Sequence, residues 1–214
     1  MKKLLLPLLV AFAVSLVSCG GEKKEEKKVN EDSIKVAKEK AKDDSIKAAT
    51  AKKESEADMD ASYLKDEKGQ WVVKATASTT YASKKGKAPW SPEQMIGKPD
   101  VQKYGDNQNA WASKERDGGM EWVKLTFEKE VNATEIRIKE TYNAGAISKI
   151  ELIDTKNKSH VVYEATAAAK DKKMQYLVAT FEKTAYKTKT VKITIDSKAV
   201  EGWNEIDAVQ LVGE

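Results

Sequence analysis

The chain has 214 residues, with 38 lysines and arginines against 34 aspartates and glutamates, a formal net charge of +4, one histidine and one cysteine. A balance this close to neutral gives no reason to invoke nucleic acid as a partner. A single cysteine excludes an intrachain disulfide and a cysteine-rich metal cluster, so stability must come from a hydrophobic core, for which the chain is long enough as one ordinary domain.

The chain opens with Met1-Lys-Lys, an apolar run from Leu4 to Val17 and small residues before Cys19. That order of charge, short apolar core and small residues is an export signal, too short to span a bilayer. Leu16-Val-Ser-Cys19 resembles the lipobox of bacterial lipoproteins, which implies that Cys19 becomes the lipidated first residue of the mature chain. The expected location is therefore the bacterial cell envelope, lipid-anchored, and periplasmic or surface-exposed.

Residues 20–68 read as a spacer. Glu22-Lys-Lys-Glu-Glu-Lys-Lys28 is followed by two copies of Asp-Ser-Ile-Lys, at Asp32 and Asp44, in a background of Glu, Lys and Ala. Such sequence favours intermittent helix but has too few apolar residues to bury a face. Ile34 and Ile46 are too sparse for a coiled-coil seam, which leaves a partly helical or disordered tether that lifts the next domain from the lipid.

From residue 69 to 214 the composition changes to tryptophans, tyrosines and β-branched residues. Period-two alternation predicts strands over Trp71 to Thr76, Glu121 to Phe127, Thr134 to Lys139, Lys149 to Ile153, His160 to Glu164, Gln175 to Phe181, Thr190 to Ile195 and Ile206 to Val212. No helical pattern separates them, so the expected class is all-β, an antiparallel sandwich or barrel.

Trp90-Ser-Pro-Glu-Gln-Met-Ile-Gly-Lys-Pro-Asp100, Tyr104-Gly-Asp-Asn-Gln-Asn-Ala-Trp-Ala-Ser113 and Glu121-Trp-Val-Lys-Leu-Thr-Phe127 resemble the opening of a galactose-binding-like, discoidin-type domain. Glu140-Thr-Tyr-Asn-Ala-Gly-Ala-Ile147 and Gly202-Trp-Asn-Glu-Ile-Asp-Ala-Val209 resemble later parts of the same pattern. The resemblance covers residues 72 to 214 and implies a jelly-roll β-sandwich. It does not transfer a ligand, because that family binds sugars, lipids or proteins.

If each strand from Glu121 onward crosses the sandwich once, successive connections alternate between its two ends. The segment before Glu121 and the loops 140–147, 165–173 and 197–204 then share one end, while Lys156, Lys158, Lys183, Lys187 and Lys189 gather at the other. This predicts that Asp106, Asn109, Trp111, Glu140, Tyr142, Asn143, Trp203, Asn204 and Glu205 converge as candidate ligand-binding residues. Aromatic faces stack on pyranose rings, and carboxylates and amides bond sugar hydroxyls. The same residues could equally plug the sandwich end and satisfy loop backbone.

Asp106 and Asn107, in a glycine-bearing loop, are candidate donors for a structural calcium, although no complete calcium-loop spacing is present. No other cofactor is expected. The lone His160 opens a strand at the lysine end, away from the carboxylates, and no phosphate loop is present, so no catalytic residue is assigned. A Glu140 and Glu205 pair for glycoside hydrolysis would need a cleft that so small a domain is not expected to hold. The expected function is non-catalytic recognition of carbohydrate or a cell-envelope component. The alternative is a protein-interaction module that docks an envelope assembly.

Overall fold

A computed structural model of the chain describes residues 59–214. The expected export signal, Cys19 and most of the expected spacer lie outside the described residues.

Eight strands follow in order: β1 (Gly69–Ala77), β2 (Met120–Val131), β3 (Ala133–Tyr142), β4 (Ile147–Asp154), β5 (Ser159–Glu164), β6 (Gln175–Thr180), β7 (Thr188–Asp196) and β8 (Glu205–Gly213). Each expected strand is present within a few residues of its expected bounds. They pair in the order β5-β4-β7-β2-β1-β8-β3-β6, antiparallel throughout. The continuous ladder becomes two layers because β1 changes partner. Gly69 to Trp71 pair with β8, whereas Val72 to Ala77 pair with β2, with a register shift between Val72 and Lys74. The result is the β-sandwich expected from the alternation.

That alternation sets what is inside. On β2, Val123, Leu125 and Phe127 are buried between more exposed neighbours, and Val123 and Leu125 lie opposite Ile193 and Val191 of β7. Ile136 and Ile138 of β3 and Val209 and Leu211 of β8 contribute from the other layer to one continuous core. Each such side chain stabilises the fold by about 1.5–3 kcal/mol when removed from water.

β8 is buried along its whole length, on both faces. Its inner face lies in the core; on its outer face Gln210 Nε2 donates to the Tyr63 carbonyl, in the end of the expected spacer, of which 59–65 are helical, and the Asp207 carboxylate accepts the Asp100 and Val101 N–H groups. Lys139 Nζ bonds Asp60 Oδ2 at 2.9 Å and the Val101 carbonyl at 3.0 Å, with Asp207 Oδ2 at 3.8 Å. Arg137 Nη1 bonds Asp66 Oδ2 and Gln210 Oε1, each at 2.8 Å, and its guanidinium lies 4.1 Å from the centre of the Tyr63 ring. Charged residues that read as spacer are thus the partners of charged residues on the sheet.

The connections fall at two ends. Met120 lies opposite Asp196, Ile147 opposite Ile195, Gln175 opposite Glu140, and Tyr142 opposite Glu205, which places the loops joining these strand tips at one end. At the other end Lys183 and Lys68 approach Glu214, and Lys189 approaches Glu130.

Candidate functional site

At the loop end, residues 78–119 are sewn onto the tip of β8. Trp111 and Ile206 exchange backbone hydrogen bonds of 2.9 and 3.2 Å, Tyr81 N–H donates to the Ala112 carbonyl, and Trp90 N–H donates to the Gln108 carbonyl. Trp90 has φ 57, a left-handed conformation that is rare for a bulky residue and that is held here by its neighbours. The Thr80 hydroxyl donates to its carbonyl at 2.9 Å and its indole N–H to Asp106 Oδ1 at 2.9 Å.

These bonds assemble a small open pocket of about 80 Å³ lined by Tyr81, Trp90, Asp106, Ala112, Trp203 and Glu205. The Tyr81 ring meets both tryptophans edge to face, with centroids 5.3 Å from Trp90 and 5.4 Å from Trp203. Tyr81 is 49% exposed and Asp106 stands at the surface, whereas Glu205 is only 1% exposed and forms the floor.

Glu205 Oε2 accepts the Asn107 N–H at 3.0 Å. Its Oε1 and the Trp203 indole N–H are buried with no well-angled partner in the chain. Burial, together with a hydrogen bond to Asp106 and that residue's charge, pushes Glu205 up to about 9, against the opposing pull of the Asn107 amide.

The other expected residues divide sharply. Trp111, 1% exposed, belongs to the core and donates its indole N–H to the Thr79 carbonyl, so it is unavailable to a ligand. Glu140 also turns inward, its Oε1 accepting Gly145 N–H at 2.8 Å. Burial raises its pKa, opposed by that amide, by Gln175 and by Lys170. Gly145, at φ 105, permits this turn, and a Cβ there would lie 2.1 Å from the Ala168 carbonyl oxygen.

Asn143 and Asn204 bind the loops to each other. Asn143 Nδ2 donates to the Trp203 carbonyl at 3.0 Å, and Asn204 Nδ2 donates to the Asn143 carbonyl at 2.8 Å. Tyr142 packs edge to face on Tyr104 and lines a separate groove of about 370 Å³ with Arg116, Lys170 and Lys172. Asn109 contributes its backbone N–H to Asn107 Oδ1.

The two expected calcium donors do not fit the ion. Asp106 Oδ1 holds Trp90, Asn107 Oδ1 closes its own turn, and no group of three or more metal-ligating acid, histidine or cysteine residues gathers among the described residues. His160 lies on Tyr186 and bonds Asp154 through Nε2, far from these loops in the fold.

The expected set therefore contributes Asp106, Trp203 and Glu205 to the pocket and omits Tyr81 and Trp90. Trp90 stands in the segment that carries the family resemblance, and the sequence places it at this end. Nothing in the spacing signals that its ring turns toward Tyr81.

Similar solved structures share the fold at low sequence identity. One is reduced XRCC1 bound to the DNA polymerase beta catalytic domain, at 10% identity over 68% of this chain and 99% of that one, with a TM-score of 0.50. Another is the family 32 carbohydrate-binding module from C. perfringens NanJ in complex with galactose, at 18% identity over 67% and 98%, with a TM-score of 0.46. A third is chitosan-binding module 1 of a chitosanase/glucanase from Paenibacillus sp. IK-5, at 12% over 65% and 94%, TM-score 0.46. No curated protein matches the chain. Residues 63–214 match the family model described as Pappalysin-1, SD scarf domain, C-terminal, and the chain belongs to that family.

Proposed function

We propose that the protein is a non-catalytic, carbohydrate-binding module of a bacterial envelope lipoprotein, held to the membrane through Cys19. The observation that carries the binding reading is the pocket: three aromatic rings around an open mouth, above buried polar atoms that the chain leaves unpaired. Buried polar groups normally have partners, and a site for a polar ligand is one place where they do not. Aromatic walls supply the apolar contact that a sugar face needs, and the carboxyls supply hydrogen bonds to its substituents. The reading rests on this pocket and not on likeness of fold.

A glycan array with the purified protein tests it. Binding that disappears in Tyr81→Ala and Trp203→Ala, with the thermal transition retained, supports the reading. Capture of an envelope protein that free sugars do not displace would favour the protein-docking alternative. The anchor is tested separately, since Cys19→Ser should abolish labelling by radioactive fatty acid and release the protein from membranes.

A further inference from the structure

We propose that the aromatic pocket takes the ammonium group of a glycan that carries a free amine. This rests on the carbohydrate reading above and names the substituent that the pocket selects.

Three observations point to a cation. The first is the wall: Tyr81, Trp90 and Trp203 line the pocket, with Tyr81 edge to face against both tryptophans, and aromatic ring faces attract positive charge. The second is the charge balance. In a chain with 38 lysines and arginines, the pocket is lined by two carboxyls and by no basic residue. The basic residues of this end, Arg116, Lys170 and Lys172, line the neighbouring groove instead.

The third is the acidic floor. Glu205 is 1% exposed, with the Asp106 carboxyl beside it and its Oε1 outside any well-angled hydrogen bond. An ammonium has three donors and no acceptor, the complement of two facing carboxyls. A neutral hydroxyl offers one donor and no charge.

Size narrows the choice further. A pocket of about 80 Å³ is large enough for an ammonium and the carbon that bears it. The sugar ring would stay outside, against exposed Tyr81. N-acetylation would remove the charge and two of the three donors.

The same arrangement predicts a proton event. Glu205, held largely protonated by its surroundings, faces Asp106 as its charged neighbour, and Tyr81 is the other titratable group lining the pocket. A cation placed between the carboxyls favours ionisation of Glu205, so binding should release a proton from it.

Calorimetric titration at pH 6.5 of the purified protein with the glucosamine trimer, its N-acetylated counterpart, galactose and an acetyl-lysine-amide tests this. The expected result is binding of the glucosamine trimer at least about tenfold tighter than the N-acetylated trimer. Its heat should vary with the ionisation enthalpy of the buffer, reporting proton release. Glu205→Gln, which imitates the protonated side chain and keeps an acceptor for Asn107, and Asp106→Asn should each reduce the preference toward unity. Equal binding of the acetylated trimer or galactose overturns the amine inference and leaves the carbohydrate reading standing. Binding of no glycan overturns both, and acetyl-lysine-amide binding as tightly as the trimer overturns the assignment to a glycan.

Discussion

Glu140 and Glu205 stand near the facing ends of β3 and β8, both are almost fully buried, and burial raises the pKa of both. Their surroundings differ. Glu140 receives the Gly145 amide and lies near Gln175 and Lys170, so the loop it supports answers its charge. Glu205 faces a second carboxyl, has one oxygen without a well-angled partner and lines an opening walled by aromatic rings. The difference teaches that burial of an acid does not by itself mark a site. What separates the two carboxyls is whether the fold supplies a complement to each.

The tryptophans repeat this contrast and give the largest test of it. Trp111→Ala should destabilise the domain by about 4 kcal/mol, because it empties a core position and removes the bond to Thr79. Trp203→Ala, at a half-buried position, should cost about 1 kcal/mol while removing ligand binding. Denaturant unfolding of both variants would break the comparison if Trp203→Ala were the more damaging.

A second test uses pH. Because Glu205 is raised from 4.5 to about 9 in the folded state, the folded protein holds more protons than the unfolded chain between those values. Its stabilising contribution is therefore full below the unfolded value and is lost as pH rises toward 9. Asp207, raised to about 6, acts with the same sign over a lower window. Between pH 6 and 9 the wild type should lose on the order of 3 kcal/mol that Glu205→Gln retains. Parallel pH profiles for the two proteins would remove the electrostatic distinction.

A smaller effect sharpens the pair directly. Glu140→Ala leaves the Gly145 amide without its acceptor and should cost about 2 kcal/mol. Glu205→Gln at pH 6 should change stability by no more than about 0.5 kcal/mol, since the native side chain is already largely protonated there.

The strands were legible because one buried face per strand writes itself as alternation, as in Val123, Leu125 and Phe127. Counting those strands also brings Tyr142 and Trp203 to one end, where Asn143 bonds the Trp203 carbonyl. Side-chain direction was not legible. Glu140 and Glu205 have the same chemistry at the same end, and only the reversal at Gly145 aims one of them inward. Trp111 enters the core through a single bridge to Ile206, and one isolated pair leaves no periodic signal. Tyr81 and Trp90 lie in the long segment between β1 and β2, where a strand count gives an end but no path. Asp60, Tyr63 and Asp66 read as spacer because hydrophobic patterning does not register a segment that packs through ion pairs.

The most direct measurement follows the indole N–H resonances of the five tryptophans by nuclear magnetic resonance during titration with the glucosamine trimer. The pocket described here predicts that Trp90 and Trp203 shift in a saturable way, while Trp71, Trp111 and Trp122 stay in place. Saturable shifts confined to Trp71 or Trp122, or none at any tryptophan, would contradict it.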